Sequence, residues 1–139
     1  MRNPWLLSSW SIAVVLLLVA ACAPAPRAVP AAEPVFYAAE SNEVFGSVVL
    51  AISTSPGLEG SGGWVITSAD AQGGFVRAET DVVTPGGFLR SDTVRTESVT
   101  VVIAPAGTNR TQVVIQRTAG AESLEQRIST ELRARYGLN

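Results

Sequence analysis

Four strand-like stretches separated by turns or breaks that contain glycine or proline, the last three with alternating apolar and polar residues, occupy the middle of this 139-residue chain. Alternation of period two places apolar side chains on one face of a strand, and turns this short join neighbours antiparallel. Trp64-Val65-Ile66-Thr67-Ser68 and the stretch from Phe75 to Val82 flank Asp70-Ala71-Gln72-Gly73-Gly74, which reads as a hairpin with a glycine-assisted turn. In the second of these strands Val76, Ala78, Thr80 and Val82 share one face, and Arg77, Glu79 and Asp81 share the other. Thr84-Pro85-Gly86-Gly87 breaks the chain. A longer strand then runs from about Thr93 to Ala104, with Val99, Val101 and Ile103 facing inward, and Pro105 to Asn109 turns it back into Arg110 to Arg117.

Helical stripes flank this block. Val44, Val48 and Ile52 recur at i+4 within Ser41 to Ile52, where Ser41 or Asn42 can cap the first turn and Pro56-Gly57 closes the segment. The β-branched residues make it a weak helix by propensity, so packing must stabilise it. Leu124, Ile128, Leu132 and Tyr136 keep strict i+4 spacing within Glu122 to Tyr136, with Gly137 at the C-cap and Arg127, Glu131 and Arg135 on the outer side. The pattern predicts an α+β fold in which a four-stranded antiparallel meander carries the N-terminal and C-terminal helices on one face, in the order α-β-β-β-β-α.

The core must hold without covalent help. One cysteine, Cys22, cannot form an internal disulfide. Histidine is absent, which removes the usual general base and the commonest metal ligand. The net charge of −2, spread over arginines with no lysine, offers no basic footprint for nucleic acid.

The N-terminus carries an address. Arg2 supplies a positive start, and Ser11 to Ala20 supplies an apolar run of about ten residues, the proportions of an export signal. It ends in Val19-Ala20-Ala21-Cys22, which resembles the lipobox of bacterial lipoproteins: an aliphatic residue, two small residues and a cysteine. That resemblance implies a diacylglyceryl thioether on the Cys22 sulfur, cleavage by signal peptidase II before Cys22, and acylation of the new amine. Two other readings stay open. An ordinary signal peptidase could use Ala21-Cys22-Ala23, although Pro24 follows the cut, or Trp5 to Ala23 could remain as a membrane helix, although Ser8, Ser9 and Ser11 interrupt it.

Under the lipobox reading residues 1–21 are the signal peptide, residues 22–34 the lipidated cysteine and a tether with four prolines, and residues 35–139 one α+β domain. A tether in polyproline II would span up to ~35 Å at ~3.1 Å per residue. With alanine rather than aspartate at position 23, the resemblance to bacterial lipoproteins implies transport to the outer membrane, facing the periplasm, in a Gram-negative cell. In a Gram-positive cell the protein would stay on the outer face of the plasma membrane.

Chemistry is sparse. Serine and threonine are plentiful, but neither histidine nor lysine is present to activate them, so no catalytic residue, metal site or cofactor is expected. Glu79 and Asp81 share a strand face about 7 Å apart, close to Asp70, a spacing open to paired-carboxylate or calcium chemistry; Arg77 beside them points to charge balance instead. Asn109-Arg110-Thr111 matches a glycosylation sequon, a chance match in a chain with a bacterial leader. Gly57 to Gly63 lacks the Gly-Lys-Ser/Thr and following helix of a phosphate loop. Trp64 is the candidate for contact with a small apolar ligand or lipid between helices and sheet.

In element order and address, residues 35–137 are also similar to the small α+β domains of accessory outer-membrane lipoproteins such as the C component of the β-barrel assembly machine. That resemblance rests on no motif and carries over no residue. The expectation is a non-enzymatic envelope protein held to the membrane by its lipid and contacting an envelope partner, with an apolar-ligand carrier as the alternative.

Overall fold

The computed structural model describes Val29 and residues 32–138. Its elements run β1 (Val35–Tyr37), α1 (Ser41–Ser53), β2 (Val65–Asp70), β3 (Phe75–Thr84), β4 (Thr93–Pro105), β5 (Thr111–Arg117), a 3-10 turn (Ala119–Ala121) and α2 (Glu122–Tyr136). The fold is α+β, with two helices on one face of an antiparallel sheet, as the alternation requires. The sheet has five strands in the order β1-β5-β4-β3-β2, so the four-stranded expectation is corrected. β2 to β5 form the expected meander, and β1 adds to its far edge by pairing Val35 with Val113 and Tyr37 with Thr111. Three residues are too few for alternation to show, and β1 exists because β5 offers it an edge.

The inner face follows the parity read from the sequence. Val76 and Ala78 of β3, Val99, Val101 and Ile103 of β4, and Val113 of β5 are buried beneath Val44, Val48 and Ile52 of α1 and Leu124, Ile128 and Leu132 of α2. Each buried valine, leucine or isoleucine contributes roughly 1.5–3 kcal/mol, and with no disulfide among the described residues this contiguous cluster holds the domain. α1 packs on β2, β3 and β4, whereas α2 packs on α1, β1 and β5.

Helix ends differ in detail from expectation. Glu40 occupies the N-cap of α1 without a side-chain cap, and Asn42 instead accepts from the Glu43 N–H at 2.9 Å. α1 stops at Ser53 with Thr54 as its C-cap, ahead of Pro56. Gly137 caps α2 with φ 68° and donates its N–H to Arg133 O at 3.1 Å, the left-handed position that glycine fills without strain.

β3 and β4 run past the rest of the sheet as a two-stranded arm, in register from Phe75 and Val102 to Thr84 and Thr93. Gly60 braces its outer side by accepting the Val83 N–H at 2.9 Å. At the tip Arg90 N donates to Gly87 O at 2.8 Å, and Gly86 N donates to Asp92 Oδ1 at 2.9 Å. Position 86 must be glycine, because a Cβ there would overlap Arg90 O.

Candidate functional site

Buried polar groups are the first place to look for chemistry, since burial without a partner is costly and a functional group is often the exception. Among the described residues, four buried ones are polar: Ser47, Thr80, Glu97 and Thr111. Each ties one segment to the sheet or to a helix. Thr80 Oγ1 donates to Gly63 O at 2.7 Å and fixes the loop before β2. Thr111 Oγ1 donates to Ala39 O at 2.7 Å and fixes the turn between β1 and α1. Ser47 Oγ lies 2.7 Å from Tyr136 Oη, and the Tyr136 hydroxyl also donates to Glu43 O at 3.1 Å, which joins the two helices.

Glu97 is the most unusual of the four, a carboxylate only 3 % exposed on the inner face of β4. It accepts the Gly120 N–H at 3.0 Å and the Thr118 hydroxyl, and it pairs with Arg95 at 2.5 Å. Thr118 completes the joint by accepting the Ser98 N–H at 2.9 Å on its hydroxyl and donating its own N–H to Ser98 O at 3.0 Å. Gly120 lies so close to the carboxylate that a Cβ there would run into it. Glu97 thus receives the turn that launches α2. The signal was present in the sequence: Glu97 has the parity of Val99, Val101 and Ile103, and a charge at an inward position of a strand needs partners.

The carboxylates singled out from sequence are engaged separately. Asp70 Oδ1 accepts the N–H groups of Gln72 and Gly73, both at 2.9 Å, and shapes the β2–β3 turn. Glu79 pairs with Arg77 at 2.8 Å. Asp81 accepts the Thr96 hydroxyl at 2.7 Å across the β3–β4 ladder. Glu79 and Asp81 therefore share a face but are held to different partners, and among the described residues no group of three or more carboxylate, cysteine or histidine side chains is placed to hold a metal.

Trp64 is half-buried against the core and lines an open groove of about 170 Å³ with Ser55, Pro56, Ser123, Leu124 and Arg127. That volume falls below the ~300 Å³ at which small-molecule sites begin. Every buried side-chain nitrogen and oxygen among the described residues has a hydrogen-bond partner, so no orphaned group marks an interior ligand site. Asn109 of the sequon sits in the β4–β5 turn with φ 53°, and Arg110 stacks 4.3 Å over the Phe36 ring. Cys22, Val19, Ala20 and Ala21 lie outside the described residues.

A second groove runs between α2 and the β1–β5 edge, lined by Val29, Ala32, Glu33, Ile115, Arg117 and Arg133 among others. The chain preceding β1 therefore passes along this edge. Arg117 pairs with Glu125 there, and Tyr37 is buried near Arg133. Burial raises the Tyr37 phenol above its ordinary value, and the Arg133 guanidinium opposes that shift in part.

Among the described residues no helix is long and apolar enough to cross a membrane. The chain matches no known protein-family model and no curated protein.

Proposed function

We propose that this protein is a cell-envelope lipoprotein, anchored through acylated Cys22, whose domain acts without catalysis as an interaction or structural accessory module. The observation that carries the reading is the run Val19-Ala20-Ala21-Cys22 at the end of an apolar leader and ahead of a proline-rich stretch. Two or three acyl chains hold a protein at a bilayer far more durably than one. The use of polar side chains supports the accessory role: Ser47, Thr80, Glu97 and Thr111 all spend their hydrogen bonds on joining segments. Glu79 and Asp81 are charge-balanced or hydrogen-bonded on the open face of the sheet, where an activated nucleophile or a paired acid and base would need a different arrangement.

Cell fractionation tests the proposal. The wild-type protein should sediment with membranes and be released by detergent but not by high salt, and Cys22→Ala should move it to the soluble fraction. A wild-type protein that is soluble, or a Cys22→Ala variant that stays in the membrane, contradicts it. Crosslinking in intact envelopes should trap one envelope protein in stoichiometric amount, and recovery of the protein alone would count against the accessory role.

A further inference from the structure

We propose that the tip of the β3–β4 arm dips into the bilayer to which the lipid tethers the domain, giving the protein a second, reversible membrane contact. This rests on the lipoprotein reading above. Phe88 and Leu89, adjacent at the tip, are 104 % and 91 % exposed, and Val83 and Val94 are paired across the arm just behind them at 39 % and 60 %. Phe88 and Leu89 are almost fully exposed at the end of the hairpin, with Val83 and Val94 extending the apolar surface behind them, and an exposed cluster of this kind marks a contact surface. The tip is built rather than loose, since Gly86, Gly87, Arg90 and Asp92 brace it with hydrogen bonds.

The path of the chain selects lipid as the occupant. β1 runs antiparallel to β5, so the segment before Val35 heads toward the Arg117 end of β5, the same direction in which the arm projects. Val29 lines a groove with Arg117, which pairs with Val99. From Val99 the arm extends six further residues to Thr93, about 20 Å at ~3.3 Å per residue, and then the loop. Between Val29 and Cys22 the chain can cover at most ~25 Å, even fully extended. A lipid on Cys22 therefore keeps the bilayer within ~25 Å of Val29, a range the tip also reaches, while the β4–β5 turn lies at the opposite end of the sheet.

The charges near the tip are mixed in sign, Arg90 and Arg95 against Asp81, Asp92 and Glu97, and form no basic patch. Contact should therefore depend on apolar insertion, with little demand for anionic headgroups and little dependence on salt.

The test uses the full-length lipoprotein in phosphatidylcholine vesicles. With Cys22 acylated the chain has no other thiol, so Leu89→Cys places a single label for an environment-sensitive fluorophore at the tip, and Asn109→Cys places one at the opposite end. The expected result is a blue shift and at least threefold quenching by nitroxide-labelled lipid at position 89, none at position 109, and the same quenching in high salt. Adding Phe88→Ser should cut that quenching severalfold and leave Tm unchanged. A water-exposed label at position 89 on protein whose intact mass shows the acyl chains overturns the tip proposal and spares the anchor. An unacylated intact mass overturns both. Quenching that requires anionic lipid overturns apolar insertion, and a concentration-dependent blue shift in detergent without vesicles identifies a second copy as the occupant and overturns it too.

Discussion

Glu97 on β4 and Gly120 in the turn before α2 are joined by a 3.0 Å hydrogen bond from the glycine N–H to a carboxylate that water barely reaches. They are far apart in the chain, and their contact sets where α2 begins. Replacing Glu97 with alanine leaves the Gly120 N–H and the Thr118 hydroxyl without their buried acceptor, and the expected cost is about 2–4 kcal/mol in urea denaturation. Glu97→Gln keeps an acceptor and should cost about half as much. A loss below ~0.5 kcal/mol for the alanine variant would show that the joint is not structural.

The sign of the Tyr37 shift gives a pH dependence. Its folded pKa is raised, so the native state keeps a proton that the unfolded chain releases. Tyr37 therefore adds full stability below about pH 10, the ordinary phenol value, and that stability is lost as pH rises through the raised folded value. Tm measured from about pH 8 to 11 should fall at the alkaline end, and Tyr37→Phe, which has nothing to ionise, should flatten the fall. An identical alkaline slope in the variant would remove Tyr37 as its source.

Gly74 adopts φ 67°, its O accepts the Ile103 N–H at 2.7 Å, and a Cβ there would overlap Ile103 O. Gly74→Ala should cost about 2 kcal/mol or more through strain and the broken ladder. Gly62 has open space around it and an ordinary φ. Gly62→Ala should be neutral or stabilise by a few tenths of a kcal/mol, and thermal melts of the two variants check the contrast.

How much of this was legible follows from the physics of each signal. α2 was readable in full because Leu124, Ile128 and Leu132 repeat at helical spacing and all three are buried. The parity of β3 and β4 was readable for the same reason, with the polar face of β3 in Arg77, Glu79 and Asp81 turned outward. β1 was not, since Val35-Phe36-Tyr37 has no pattern of its own and becomes a strand only through the distant residues Thr111 to Val113. Glu97 shares the inward parity of Val99, Val101 and Ile103, but its partners Thr118 and Gly120 lie in an irregular turn that no periodic pattern marks. Trp64 stood out by size alone, and it lies beside a shallow groove. The apolar tip, Phe88-Leu89, fell between two strands and so outside any periodic pattern.

The open-face carboxylates should tolerate removal. Glu79→Ala with Asp81→Ala loses one exposed ion pair and one exposed hydrogen bond, together worth about 1 kcal/mol or less by chemical denaturation. A loss above ~3 kcal/mol, or a growth defect in a strain that still displays the folded protein, would give this pair a role beyond charge balance.

The most direct measurement is the intact mass of the protein extracted from membranes, beside the same preparation of Cys22→Ala. The expected wild-type mass is that of a chain beginning at Cys22 plus a diacylglyceryl group, with or without a further acyl chain, and the variant should carry none of these. An unmodified wild-type chain, or one that retains residues 1–21, would contradict the lipoprotein assignment.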